Sequence, residues 1–334
     1  QAEDGIRDFC LSRGLGDVYK RQVEAILLMD EIAKETRKKR EQKGSINFNK
    51  KEVYFKLNEK RDPVGVYTKE SKDANKLIEE FMLIANKKVA ELFSEIKKQK
   101  YIYRVHDLPD IEKLKSLKHI VKSFGYTLDL TSSKGISKSL NKLLDQIRGK
   151  EEQNLIESLA LRSMSKAEYS TNNIGHYGLA FVNYTHFTSP IRRYPDVLVH
   201  RLLQDILDKK YGKMDKSLQK KATHCSEQEN NAVKAERDSI KFMQIKFMQN
   251  KIGESFNGII SGVSDWGIYV ELEENKCEGM VYVKDIKDDK YYYSSEEASL
   301  IGKKNKKKFQ LGDSITVEVK NADLIKKHLD FIII

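Results

Sequence analysis

"GHYGLAFVNYTHFTSPIRRYPDVLVHR" spans residues 175–201, and its reading governs the rest of the chain. It sets two adjacent arginines, Arg192 and Arg193, between Pro190 and Pro195, in a chain with only four prolines. Ser189 ahead of Pro190 offers a cap hydroxyl and then a residue of preset φ, the pattern of a helix start. Pro195 forbids an ordinary continuing helix and pushes Tyr194 toward extended geometry. The arginines therefore sit on a short segment stiffened at both ends, which lowers the entropy lost when a ligand engages them. A planar guanidinium fork suits phosphate oxygens and stays charged. A structural pairing with carboxylates fits the same residues, and this stretch alone leaves both readings open.

The chain has 334 residues, enough for two domains with real cores. Lys+Arg number 61 and Asp+Glu 50, a formal charge of +11, which favours a polyanionic partner such as nucleic acid. The excess is uneven. Residues 253–334 hold 12 basic and 15 acidic side chains, so residues 23–252 carry +14. No apolar run of about 18 residues occurs, so no membrane span is expected. Cys10, Cys225 and Cys277 form neither a disulfide framework nor a zinc set, which suits a cytoplasmic protein. Residues 1–22 show no clear period and look like translated sequencing-adapter read-through. They are set aside as non-native.

Outward from the arginines, the pattern predicts an α+β chain. A basic helix runs from Val23 to about Arg40 with Gly44 as its stop. Val53, Phe55 and Leu57 alternate, turn at "EKRDP" and resume with Val64 and Val66, a β-hairpin. Ser71 or Asp73 can cap a long helix with Leu77, Phe81 and Ile84 on one face. Helices are expected over roughly 109–124, 137–148, 151–167, 195–210 (ending at Gly212) and 226–250. After Gly253 five short strands, "SFNGIISGV", "WGIYVEL", "EGMVYV", "DSITVEVKNAD" and "HLDFIII", predict a closed five-stranded barrel of the OB type. The expected units are 1–22, 23–251 and 252–334.

His176-Tyr177-Gly178-Leu179, Tyr184, "FTSPIRRYPD" and His200 together resemble the signature of the RNase II / RNase R (RNB) family of exoribonucleases. "KGSINF", "ESKDANKLIEEFMLIAN", "YRVHDLPD", "LRSMSKAEYS" and "CSEQENNAVKAERD" are similar to family segments in the same order. The resemblance covers residues 23–334 and identifies the tail with the S1 RNA-binding domain. It implies processive, Mg²⁺-dependent 3′→5′ hydrolysis of single-stranded RNA to nucleoside 5′-monophosphates by a monomer. Arg192 falls at the family's catalytic arginine, and Arg193 beside it, Tyr184 and His176 belong with the RNA-binding set. Glu79 falls at a glutamate that contacts the terminal ribose, with Glu80 as the competing choice. Phe48 falls at a base-stacking aromatic, against the alternative of a core residue beside the hairpin. Trp266 and Tyr269 fall at RNA-stacking aromatics, with Tyr282 a weaker candidate or a core residue. "KKNKKK" at 303–308 is expected as a loop beside the RNA path or a solvated one. Asp196 and His200, four apart, are expected to pair on one helix.

The resemblance also implies an aspartate-rich metal motif upstream of the matched segments. "DIKDDK" offers Asp285, Asp288 and Asp289, expected as a solvated barrel loop. "HDLPD" offers Asp107 and Asp110, expected as a helix start. Neither matches, so no metal ligand is assigned. The expectation is the carboxy-terminal part of an exoribonuclease, inactive alone. The alternative is a non-catalytic RNA-binding scaffold.

Overall fold

Helix-period and strand-period segments alternate along the first three quarters of the chain, and strands dominate the last quarter. The structure, a computed structural model, describes residues 16–48, 52–69, 71–96, 100–150, 152–210, 216–294 and 299–334. Helix α1 (Gly16–Gln42) begins inside the stretch read as lacking a helical period. Residues 1–15 of that stretch lie outside the described residues. The second half of α1 packs inward through Ala33 and Arg40, while Val23, Ile26, Leu27, Leu28, Met29 and Ile32 are exposed. Gly44, at φ 103, ends it as expected.

Strands β1 (Glu52–Leu57) and β2 (Pro63–Lys69) form the expected antiparallel hairpin, with Tyr54 opposite Tyr67 and Phe55 opposite Val66. Helix α2 (Asp73–Glu95) follows. Its buried stripe is Glu80, Leu83, Asn86, Ala90 and Phe93, whereas Phe81 and Ile84 are only half-buried. The expected Leu77–Phe81–Ile84 face is thus rotated, because Glu80 and Asn86 find buried polar partners on the inner side. The helix N-cap is Lys72, whose amide donates to the Asn75 side chain.

Helices α3 (Ile111–Ser123), α4 (Ser133–Gln146) and α5 (Gln153–Ser163) share a core of Leu114, Leu117, Val121, Leu140, Leu143 and Ile156. Asp110 caps α3 by accepting from the Glu112 and Lys113 amides, the expected helix-start role. A short antiparallel pair, β3 (Tyr103–His106) with β4 (Ala167–Ser170), was not expected. Two more helices complete this body, α6 (Tyr194–Leu207) and α7 (Leu218–Met248). Gly212, the expected end of α6, lies outside the described residues.

The tail contains β5 (Ser255–Ser264), β6 (Gly267–Leu272), β7 (Glu278–Tyr282), β8 (Tyr291–Ser294), β9 (Ser299–Gly302), β10 (Lys308–Gln310), β11 (Ser314–Asp323) and β12 (His328–Ile333). All five expected strands close into a barrel in the order β11-β12-β7-β6-β5. Its inward residues include Ile260, Ile268, Val270, Leu272, Val281, Val319 and Phe331. At Gly267 the backbone approaches so closely that an added Cβ would meet the Val281 carbonyl oxygen at 2.1 Å, so only glycine fits. β8, β9 and β10 make an additional small sheet. Helix α7 reaches both cores: Leu218 and Ala222 pack in the body, Ile245 and Met248 in the barrel, and residues 231–240 between them are exposed.

The "DIKDDK" segment lies at the surface, as expected, and polar contacts hold it in shape. Asp285 pairs with Lys320 at 2.8 Å, and Asp289 accepts from the amides of Lys290, Lys304 and Asn305. Those bonds hold the lysine-rich β9–β10 turn in shape, so that turn is built rather than loose.

Candidate nucleic-acid interface

The arginine segment is anchored from beneath by one carboxylate. Asp196 is fully buried, and its Oδ1 accepts from the Ser189 amide and from Arg193, each at 2.8 Å. The amides of Arg192 and Arg193 both turn back onto the Ser189 carbonyl. Residues Ser189–Arg193 therefore make a single turn. The helix starts at Tyr194, after an extended Arg193 (φ −131, ψ 115), with Pro195 in its first turn. This reverses the expected roles of the two prolines. A first-turn proline has no amide the helix needs, so Pro195 opens α6 and Tyr194 is helical.

The two arginines differ in their partners. Arg193 is the carboxylate-paired one. Arg192 is exposed, with Ser189 Oγ at 3.5 Å, and no carboxylate among the described residues pairs with it. His200 does not pair with Asp196. Its Nε2 bonds the Phe187 carbonyl at 2.8 Å and its ring stacks on Phe187 at 4.2 Å, because Asp196 is already committed to the turn.

Beside this turn lies a cavity of about 260 Å³ lined by Asn75, Ile78, Glu79, Met82, Asn86 and Arg193, with Leu83 and Tyr184 behind. Glu79 is exposed toward solvent on α2. Glu80 is 1% exposed and paired with Arg40 at 2.5 Å and Arg37 at 3.3 Å. Of the two glutamates only Glu79 lines the cavity. Asn86 braces the wall: its carbonyl accepts from the Phe187 and Thr188 amides, and its amide donates to the Tyr184 hydroxyl.

Tyr184 lines the cavity wall but is only 4% exposed. Burial raises its hydroxyl pKa. His176 also sits inside. Its Nδ1 accepts from the Leu179 amide, and burial, then the neighbouring His106, lower its pKa to about 3. His186 is lowered to about 2 by burial and then by Arg193 and Arg104, and its Nδ1 meets the Tyr169 hydroxyl at 2.8 Å. Both are neutral at physiological pH.

His176 and His106 line a second, larger cavity of about 520 Å³ with Lys43, Lys134, Tyr177 and Asn173. Phe48 packs half-buried against the α3–α5 core, close to the alternative held open for it. In the barrel Trp266 is 77% exposed and Tyr269 is 40% exposed, while Tyr282 is half-buried with Lys284 over its ring at 4.9 Å.

The sequence reading missed Asp196 as the anchor, His106 in the second cavity, and the Asn86 brace. A signal existed for the first, an acid three residues after Arg193, and for the third, the shared spacing with Glu79. Metal binding is not supported by the residues described. No three His, Cys, Asp or Glu side chains come together among them: Glu79 is the one acid lining the groove, and Asp196 and Glu80 nearby are already paired with arginines. This donor set does not fit Mg²⁺. No helix among the described residues is long and apolar enough to cross a membrane.

The RNB domain family matches residues 10–209, and the S1 RNA binding domain family matches residues 249–333. Ribonuclease R of Thermotoga maritima is 39% identical over 312 residues, covering 91% of this chain and 43% of the relative. Ribonuclease R of Aquifex aeolicus is 38% identical over 312 residues, covering 92% and 44%. The chain thus spans less than half the length of these relatives. Among solved structures, Mycoplasma genitalium RNase R in complex with ribose methylated single-stranded RNA superposes with a TM-score of 0.86 at 27% identity, covering 93% of this chain and 50% of that one.

Proposed function

The chain belongs to the RNB family, in its ribonuclease R branch, and from that premise we propose that it grips the 3′ end of single-stranded RNA for processive 3′→5′ hydrolysis to nucleoside 5′-monophosphates. One observation carries the reading: Arg192 is exposed and unmatched by any described carboxylate, on a turn anchored by the buried Asp196, next to a cavity edged by Glu79. A guanidinium fixed in this way meets a phosphate with little further ordering and would stabilise charge developing on it. Glu79 accepts from the ribose hydroxyls of the terminal nucleotide. Phe48, on the α3–α5 side, supplies an aromatic edge to its base. Trp266, Tyr269 and Tyr282 hold the strand upstream by sequence-tolerant stacking.

Mg²⁺ is the metal this chemistry calls for, and the described residues do not supply its carboxylates. We therefore assign this chain RNA binding without cleavage by itself, as a cytoplasmic monomer. The engaged state of Asp196 and Glu80 also favours a second reading, a non-catalytic RNA-binding scaffold.

The test is a titration of labelled single-stranded RNA with the purified chain in Mg²⁺, followed by product analysis. The expected result is salt-dependent binding and intact RNA. Arg192→Ala should flatten the log K–log[salt] slope by about 0.7, one phosphate on a single strand. Mg²⁺-dependent release of mononucleotides would overturn the binding-only assignment, and an unchanged slope would remove Arg192 from the phosphate path.

A further inference from the structure

The β1–β2 hairpin carries a feature the groove and barrel do not use. Residues directly opposed in an antiparallel pair share a face. Tyr54 opposes Tyr67, and Lys56 opposes Gly65, so these four line one face while Val53, Phe55 and Val66 line the other. The second face is fastened: Phe55 meets Phe247 of α7 at 6.2 Å, and Asp62 in the turn pairs with Lys246 at 2.5 Å. The first face looks outward. Tyr54 is 40% exposed and Tyr67 is 44% exposed, and their rings stack at 5.7 Å with 24° between planes. Lys69 Nζ lies 5.9 Å from the Tyr54 ring centre, Lys56 is exposed, and Gly65 leaves the rung beside Lys56 low.

We propose that this outer face is a further single-stranded RNA contact, a stacking platform for unpaired bases flanked by lysines that meet the phosphates. The proposal rests on the RNA-binding reading above and extends it to a surface outside the groove and the barrel. Two parallel aromatic faces on a pleated sheet offer π-surface that every base can use, and adjacent cations track the backbone. The charge agrees, since the hairpin belongs to the part of the chain carrying the +14 excess.

Placement agrees as well. β1 begins four residues after Phe48, and the hairpin docks on α7 at Lys246 and Phe247, immediately before Met248 enters the barrel core. The platform therefore sits at the junction of the body and the barrel, where a strand held at both would pass.

The test uses the full chain and single-stranded oligouridylate. Tyr54→Ala with Tyr67→Ala should weaken binding at least about tenfold, the loss of two stacking contacts. Lys56→Glu with Lys69→Glu should flatten the salt slope by about 1.4. Irradiation of wild-type chain with 5-iodouridine RNA should crosslink peptide 52–69, a readout that needs no variant to fold. Trp266→Ala serves as the comparison. If it weakens binding while both hairpin variants bind within twofold of wild type and peptide 52–69 stays uncrosslinked, the platform is refuted and the RNA reading stands. That is also the pattern expected if a protein occupies this face. If the wild-type chain binds no RNA, both fall.

Discussion

The barrel and the arginine groove contrast in how their surfaces are supported. In the barrel, five strands close on one apolar core, and Trp266 stands 77% exposed on that scaffold. Its support is generic, so its side chain can change with little structural consequence. In the groove, α2, β3, the 173–193 segment and α6 converge, and polar bonds over long sequence separation hold them: Asn86 to Phe187, Asn86 to Tyr184, and Asp196 to Ser189 and Arg193. There, position and stability depend on the same few atoms.

Asp196→Ala should break this contrast most visibly. It leaves the half-buried Arg193 unpaired and the Ser189 amide without its acceptor, so urea unfolding of the body should lose about 3 kcal/mol while the barrel transition holds. Equal loss in both transitions would show that the two regions unfold as one.

Acid should separate them next. His176 and His186 have folded pKa values of about 3 and about 2, against 6.5 when unfolded. The unfolded chain binds protons first, so their contribution is complete above pH 6.5 and drains as pH falls toward those values. The slope reaches about 1.4 kcal/mol per pH unit for each. The barrel's only histidine, His328, is exposed. Thermal melts from pH 7 to 5 should therefore lower the body transition and spare the barrel. Trp266→Ala sharpens the comparison from the other side. It should cost about 1–3 kcal/mol of RNA affinity with no change in either unfolding transition.

The same contrast governs what could be read from the residues. Period-two alternation is local, so all five barrel strands were legible, as was the Val53–Val66 hairpin. β3 and β4 are four residues each and too short to show a period. The choice between Glu79 and Glu80 was closed to sequence because it turns on Arg37 and Arg40, some 40 residues away. Pro195 was misread because a proline that breaks a helix and one that starts it look alike until the cap is known. Tyr184 matched an RNA-contact position by pattern, but its burial is set by Asn86, which lies 98 residues earlier.

Helix α7 gives the molecule a phase. Its 31 residues make a rod about 46 Å long, seated at one end in the body and at the other in the barrel, and exposed over 231–240, where Asp238 pairs with Lys327. One residue gained or lost in that exposed span would turn everything beyond it by about 100°. The hairpin's seat at Lys246 and Phe247 and the barrel's seat at Ile245 and Met248 both lie beyond that span, so they would turn together against the seat of Leu218 and Ala222 in the body. The length of an apparently idle stretch thus acts as a gear setting, exacting in number and permissive in side chain.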